Sequence, residues 1–461
     1  MNRILAVISN VIWMPLYLLL FGLGIFFTFK TNFFQLRKFL FMLKTTFGKL
    51  FAQKKSAHDG AFTPWQAVST ALASTIGTGN IVGVSTAIAI GGPGAVFWMW
   101  VIAFFGMMTK YSEIVLAIKY REKNADNEWC GGPMYYIKNG LHKPILAIIF
   151  AVFTVFGAFI AGNITQINSI SFIVNDYTSV PRFLTGIIVA IIIGLVIIGG
   201  MKSIGKITES IVPLMSLIYV LGSIFTLVVN AKRIPTAICD IFVEAFRIKS
   251  IGAGALGYGI FSALHYGIAR GTTSSEAGIG SAPIAQAASN LKEPVEQGLY
   301  GILEVFISSF VICTLTALII LTGNVYNKNV YENAMINFGM AGLKNLDQGV
   351  LLTAKSFASA MGLNIADLFI TLCIVFFALS TIIGWFYYGE KAFEFISKGK
   401  WLKIYKYAFI IIILLGPLFE VNIVWEMSDI INGLMAIPNL IGLVWLSKIV
   451  LQETKKYFVE K

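Results

Sequence analysis

The run from Ala61 to Thr109 contains no charged residue, and no other feature limits the fold as much. About 20 apolar residues cross a bilayer, so a run of this length reads as membrane-embedded. Its middle does not read as a plain helix. Gly77-Thr78-Gly79-Asn80 are weak helix formers. At membrane depth, irregular backbone is tolerated only where it is buried in protein or lines a cavity. A helix broken there frees N–H groups at the positive end of one half, which suit an anion such as a carboxylate. It also frees carbonyls at the end of the other half, which suit a cation. One stretch could thus hold an amino acid's carboxylate beside a sodium ion. The small residues also fit a simpler role, the close packing of two helices.

Composition places the whole chain in the same class. It is 57% hydrophobic and 13% charged, with mean hydropathy +0.78, which excludes an ordinary soluble domain. The net charge of +12 sets membrane topology rather than nucleic-acid binding. Cys130, Cys239, Cys313 and Cys373 show no paired spacing, so neither a disulfide nor a metal cluster is predicted. Only His58, His142 and His265 are present, too few for a His-based metal site or a nucleophile triad. The first apolar stretch lacks a small-residue cleavage site and reads as a retained helix.

Hydropathy predicts eleven spans, near 11–29, 65–90, 94–118, 144–173, 182–200, 204–229, 252–275, 297–322, 364–389, 404–421 and 428–450. Between the first two, Phe33, Leu36, Leu40, Leu43, Phe47 and Leu50 recur at helical spacing among Arg37, Lys38, Lys44 and Lys49. That pattern predicts an amphipathic helix on the cytoplasmic membrane face. The segment from Lys30 to Pro64 carries seven Lys or Arg and one acid, which places it inside, the N-terminus outside and the C-terminus inside. Eleven spans divide as one plus five plus five, and a five-span repeat has inverted topology. The expected units are 1–64 (first span and amphipathic helix), 65–230 and 231–450 (the two repeats), and a cytoplasmic tail 451–461. The first span of each repeat is irregular: the second copy, Gly252 to Gly280, is also interrupted by Gly, Ser and Thr. Thr70-Ala71-Leu72 and Ser262-Ala263-Leu264 match at corresponding places. Paired interrupted spans point to a binding site between the repeats.

Three stretches resemble the alanine/glycine:cation symporters, also called sodium:alanine symporters, of the amino acid-polyamine-organocation superfamily. They are Gly77-Thr78-Gly79-Asn80-Ile81-Val82-Gly83, Gly91 to Trp100 continuing to Tyr120-Arg121, and Arg270-Gly271 through Glu276-Ala277-Gly278 with Gly280-Ser281-Ala282-Pro283. The resemblance covers essentially the whole chain. It implies an all-α polytopic membrane protein of the leucine-transporter-like five-plus-five fold, with a discontinuous first helix in each repeat. It also implies uptake of alanine or glycine with sodium in the cell membrane. The chain departs from the family at Thr273-Ser274-Ser275-Glu276-Ala277-Gly278, where Phe-Ser-Asn-Glu-Ala-Gly is usual, and at Gln286, where His is frequent.

With the resemblance in hand, the backbone N–H groups of Thr78 and Gly79 are expected to hold a carboxylate. Gly77 and Asn80 shape and brace the break. The carbonyls of Ala73 and Ile76, just before it, face a cation. Adjacent hydroxyls on Ser380 and Thr381, with the Phe377 carbonyl four residues before Thr381, can reach one ion, and the family fold implies sodium there. The same hydroxyls could simply bond back to their own helix. Asn163, Gln166 and Ser169 recur on one helix face and are expected to face the cavity, Gln166 as a hydrogen-bond partner of substrate or as a clasp between helices. Thr272, Thr273 and Ser274 are candidates for the substrate ammonium. Arg270 and Glu276 read as a structural or gating pair, and Lys110 with Glu113 as a local i,i+3 pair. Trp385, one turn past Thr381, either caps the cavity or packs.

A site of Gly, Ala, Ser and Thr backbone suits a small zwitterion. The expected partners are therefore a small neutral amino acid, a sodium ion and the lipid bilayer, with no nucleic acid, no obligate protein partner and no cofactor beyond the coupling ion. One rival is a proton-coupled or exchanging carrier using His265, Glu276 or Glu304. A membrane-embedded enzyme is a second, but it needs a nucleophile–base, paired-acid or metal-ligand set at membrane depth, and none is evident; a channel is a third, but no ring of charged or filter-like repeats appears.

Overall fold

The structure, a computed structural model, describes residues 2–52, 61–247, 258–331 and 349–459. Its helices run, in order, α1 (Asn2–Lys30), α2 (Phe34–Arg37), α3 (Phe39–Ala52), α4 (Pro64–Thr75), α5 (Val82–Gly91), α6 (Gly94–Lys119), α7 (Pro133–Gly140), α8 (Pro144–Phe159), α9 (Thr165–Thr178), α10 (Arg182–Ile198), α11 (Gly200–Val229) and α12 (Ile234–Ala245). They continue as α13 (Tyr258–Ser275), α14 (Ala282–Gln286), α15 (Pro294–Val305), α16 (Thr314–Thr322), α17 (Gly349–Met361), α18 (Leu363–Ser397), α19 (Leu402–Leu415) and α20 (Val421–Val459). A two-stranded hairpin, Glu122–Lys123 against Trp129–Cys130, comes after α6.

Among the described residues seven helical spans are long and apolar enough to cross a membrane, and the bent pair α4/α5 makes an eighth. The protein is a multi-pass helical membrane protein. The other three expected spans are also helical. α10 has 17 residues and α19 has 14. α13 begins at Tyr258, so the Gly252 end of its expected span lies outside the described residues, as does the stretch 332–348.

The break in the first long apolar run has local causes. Thr63 starts α4 with a reciprocal cap: its hydroxyl accepts from the Gln66 N–H at 3.1 Å, and the Gln66 side chain accepts from the Thr63 N–H at 3.1 Å, with Pro64 at the first helical position. The last N–H to bond back into α4 is that of Ile76, to the Leu72 carbonyl at 2.7 Å. A single 3₁₀ turn over Thr78–Asn80 then leads into α5, and the halves meet at 57°. Downstream, α13 and α15 pack across α6, α18 packs on α8, and α20 packs on α1.

The segment after α1 is helical as expected, but its buried positions differ. Phe34, Gln35, Met42 and Thr46 turn inward, while Leu36 and Leu40 point outward, at 60% and 80% exposure, where lipid can cover them. The side chains at 47, 49 and 50 lie outside the described residues. At the other end of α6, Arg121 stacks on Trp129 at 4.2 Å and donates to the carbonyls of Ala287, Ser289 and Leu291. Burial pulls its guanidinium down to about 10, still charged at neutral pH.

Lys110 and Glu113 do not pair. Both are fully buried, and Lys110 reaches across to α15, bonding Glu304 at 2.8 Å and the Ser275 carbonyl at 2.9 Å. α15 comes this close because it presents glycine: a Cβ at Gly301 would meet Ile114 at 2.5 Å and Lys110 at 3.3 Å. Glu113 instead accepts from Asn439 at 2.5 Å.

A buried ion pair costs most when one partner is removed, because the other charge is left uncompensated. Lys110→Met alone is therefore expected to lower stability by about 3–5 kcal/mol. Lys110→Met with Glu304→Met should restore a large part of that loss. Thermal unfolding in detergent measures both; a double variant no more stable than the single would contradict the assignment.

Candidate functional site

The first break is braced from three directions. Asn80 accepts from the Gly77 N–H at 3.2 Å and donates to the Ser308 carbonyl at 3.1 Å. The Thr78 hydroxyl donates to Gln166 at 3.0 Å, and Ser274 donates to the Gly79 carbonyl at 3.3 Å. Gly77 leaves no room for a side chain, since a Cβ there would lie 2.5 Å from the Thr381 hydroxyl. The first N–H groups of a helical segment have no partner within it. Here those are the N–H groups of Thr78 and Gly79, and both residues border a small cavity.

Four oxygens gather beside α4. Ser380 and Thr381 donate to the Ala73 carbonyl at 3.2 and 3.1 Å, and both donate to the Phe377 carbonyl at 2.8 Å. The bonds to Phe377 are ordinary own-helix bonds. Those to Ala73 cross from α18 to the last turn of α4, where carbonyls carry the negative end of the helix dipole. A hydroxyl that donates here can turn its lone pairs to a cation. Ile76 is buried and leaves the helical range at ψ 82.

On α8 and α9 the structure corrects the expected face. A π-helical turn, Ile160–Ile164, joins the two helices and shifts the register of the residues after it. Asn163 therefore turns to α19, donating to the Phe409 carbonyl at 2.8 Å, and Ser169 bonds back to the Thr165 carbonyl at 2.9 Å. Gln166 does border the cavity, with Thr165 and Ala161, and its amide nitrogen bonds the Ala161 carbonyl at 3.1 Å.

The second break falls later than expected. α13 stays helical through Ser275, and the chain turns over 276–281, with positive φ at Glu276, Gly278 and Gly280. Of the three candidates in α13, Thr273 borders the cavity but bonds its own helix at Ala269. Ser274 braces the first break, and Thr272 is buried away from the cavity. Arg270 and Glu276 do not pair. Arg270 lies within α13, and Glu276 lies just past its end at positive φ. Arg270 pairs with Asp429 at 3.4 Å and lies over Trp425 at 5.9 Å. Glu276 accepts from Ser281 at 2.7 Å, Ser74 at 3.3 Å and the Trp385 indole at 3.1 Å.

The cavity, of about 40 Å³, joins the first break, the π turn, the end of α13, Thr381 and Trp385. Trp385 is held against the π turn because Gly162 presents no side chain to it. Trp425, Ser428 and Asn432 of α20 complete the wall and were not expected. They recur at i, i+3 and i+7, so polar periodicity in an apolar span could have exposed them.

The model of the sodium:alanine symporter family matches residues 1–461. The sodium/alanine symporter AgcS of Methanococcus maripaludis is 43% identical over 455 residues, covering 98% of this chain and 96% of that protein. A probable sodium/glutamine symporter of Bacillus subtilis, GlnT, is 35% identical, covering 100% and 91%. Among solved structures, MhsT in complex with L-phenylalanine superposes with TM-score 0.54 at 13% identity, covering 85% of this chain and 90% of that one. A sodium-coupled sialic acid symporter gives TM-score 0.50 at 12% identity, covering 96% and 83%. The fold is thus the leucine-transporter-like one.

If the four oxygens around Ala73 hold a cation, Ser380→Ala combined with Thr381→Ala should weaken apparent sodium affinity at least about tenfold, the loss of about 1.4 kcal/mol of binding. Substrate affinity at saturating sodium should change less. Unchanged sodium dependence in the folded double variant would leave these hydroxyls a packing role only.

Proposed function

The chain belongs to the sodium:alanine symporter family, so it is an amino-acid:cation symporter and not an enzyme, and we propose that it takes up alanine, glycine and similarly small neutral amino acids with sodium. The observation that carries this reading is the cavity bordered both by Thr78 and Gly79, whose N–H groups have no helical partner, and by Thr381 of the oxygen cluster. The substrate carboxylate sits on the N–H groups, favoured by the positive end of the second half-helix. Sodium takes the Ala73 and Phe377 carbonyls and the hydroxyls of Ser380 and Thr381, with the Ile76 carbonyl closing the set. Gln166 and Thr273 meet the polar parts of the substrate. Trp385 and Trp425 limit its side chain, which supports a small substrate over a bulky one.

Coupling comes from sharing α4. A sodium ion bound at the last turn and a carboxylate bound just past it stabilise one arrangement of the break, so each favours the other. One sodium entering at about −100 mV supplies roughly 2.3 kcal/mol, and a tenfold sodium gradient adds about 1.4 kcal/mol. Those figures together support accumulation of a neutral zwitterion by several hundredfold. Alternating access would come from the repeats 65–230 and 231–450 moving against each other around the site, with the N-terminus outside and the tail 451–461 in the cytoplasm.

Purified protein in liposomes tests this directly. An inward sodium gradient is expected to drive accumulation of labelled alanine, and potassium in its place is not. Equal uptake with potassium would rule out sodium coupling. Uptake driven by a pH gradient alone would replace it with proton coupling.

A further inference from the structure

The geometry points to Glu276 as the group that receives the substrate's ammonium, an inference that rests on the amino-acid reading above. Among the described residues Glu276 is the one charged group bordering the cavity, and it is 4% exposed. Its three partners are neutral: Ser74 and Ser281 donate to Oε2, and the Trp385 indole donates to Oε1. A carboxylate offers about four acceptor positions, so one remains, on the oxygen that carries a single bond.

The surrounding charges do not neutralise it. Lys110 is committed to Glu304 and to the Ser275 carbonyl. Arg270 is committed to Asp429, and Glu113 is held by the neutral Asn439. Among the described residues no cationic side chain lies within ion-pair distance of Glu276. A buried carboxylate with only neutral donors is costly at membrane depth and calls for a cation. Position selects which one. The Ser74 that touches Glu276 lies in the last turn of α4, whose dipole also favours positive charge, while the N–H groups past the break favour negative charge. A zwitterion lying across the break has its ammonium at Glu276. The sodium oxygens around Ala73 form a separate, uncharged set. An ammonium has three N–H bonds to satisfy, and Thr273 borders the same cavity. This defines the class of ligand: a small carboxylate carrying a cationic amine, with 2-hydroxy acids rejected.

Competition binding of L-alanine and L-lactate to purified protein in sodium reads this contact, because lactate replaces the ammonium with a hydroxyl. Glu276→Gln is expected to reduce the preference for alanine over lactate at least about tenfold, mostly through weaker alanine binding. Thermal stabilisation by sodium alone should stay within about threefold in concentration. Glu276→Asp, which keeps the charge, should retain more of the preference than Glu276→Gln. An unchanged preference in Glu276→Gln overturns the inference, as does an equal loss in both variants. A loss confined to sodium stabilisation, or to the pH dependence of transport, also overturns it and makes Glu276 an ion or proton site. Should Glu276→Gln not stay monodisperse, infrared difference spectra of the unmodified protein are taken with carboxyl-¹³C-labelled ligands. A protein carboxylate band that shifts with alanine and not with lactate supports the contact; identical spectra refute it. If the unmodified protein does not bind alanine in sodium, the functional reading itself fails. Normal alanine binding with an unchanged preference in Glu276→Gln removes only the role of Glu276.

Discussion

Every backbone N–H and C=O inside a bilayer must find a partner, and the structure is organised around the place where this chain declines to do so within its own helix. Between Thr75 and Val82 the α-helix stops. The surrounding helices supply the bonds the break needs: Asn80 ties it to the carbonyl of Ser308, Gln166 takes the Thr78 hydroxyl, and Ser274 takes the Gly79 carbonyl. Those bonds come from three different parts of the chain, so the break cannot change shape without moving its neighbours. The groups they leave over, free N–H groups on one side and turned carbonyls on the other, suit the zwitterion and cation site proposed above.

The same constraint governs charge. Lys110 and Glu304 are fully buried and neutralise each other across α6 and α15, and both also touch the breaks. Thr75, in the last turn of α4, donates to Glu304 at 2.6 Å, and Lys110 holds the Ser275 carbonyl at the end of α13. One ion pair thus fastens the two interrupted spans together. A rearrangement at either break would reach the other through it, which is a physical route for coupling that does not depend on distance alone.

Much of this was legible in the sequence, and the parts that were not share a cause. The uncharged run with Gly77-Thr78-Gly79-Asn80 at its centre announced the first break because composition there conflicts with a helix. The Ser380–Thr381 pair stood out because hydroxyls are conspicuous in an apolar span. The second break lies later than residue type implies: Thr272 to Ser275 read as irregular, yet the helix persists through Ser275, and Glu276, Gly278 and Gly280 supply the positive φ the turn uses. The π turn at Ile160–Ile164 put Asn163 and Ser169 off the expected face, since one inserted residue defeats any count by 3.6. Charge partners failed most completely. Arg270 with Glu276 and Lys110 with Glu113 were paired by spacing along one helix, whereas burial forces each to answer to another helix, where Asp429, Trp385, Glu304 and Asn439 wait. Spacing reports neighbours on a helix surface; it is silent about the elements that pack against that surface.

The central claim is that one broken helix binds ion and amino acid together. Linkage makes it measurable at equilibrium, because the factor by which sodium tightens alanine must equal the factor by which alanine tightens sodium. Isothermal titration of purified protein with alanine across a range of sodium concentrations, and with sodium across a range of alanine concentrations, gives both. Shared binding at the break predicts equal factors of at least about tenfold, about 1.4 kcal/mol of coupling, and none when potassium replaces sodium. An alanine affinity independent of sodium would contradict it.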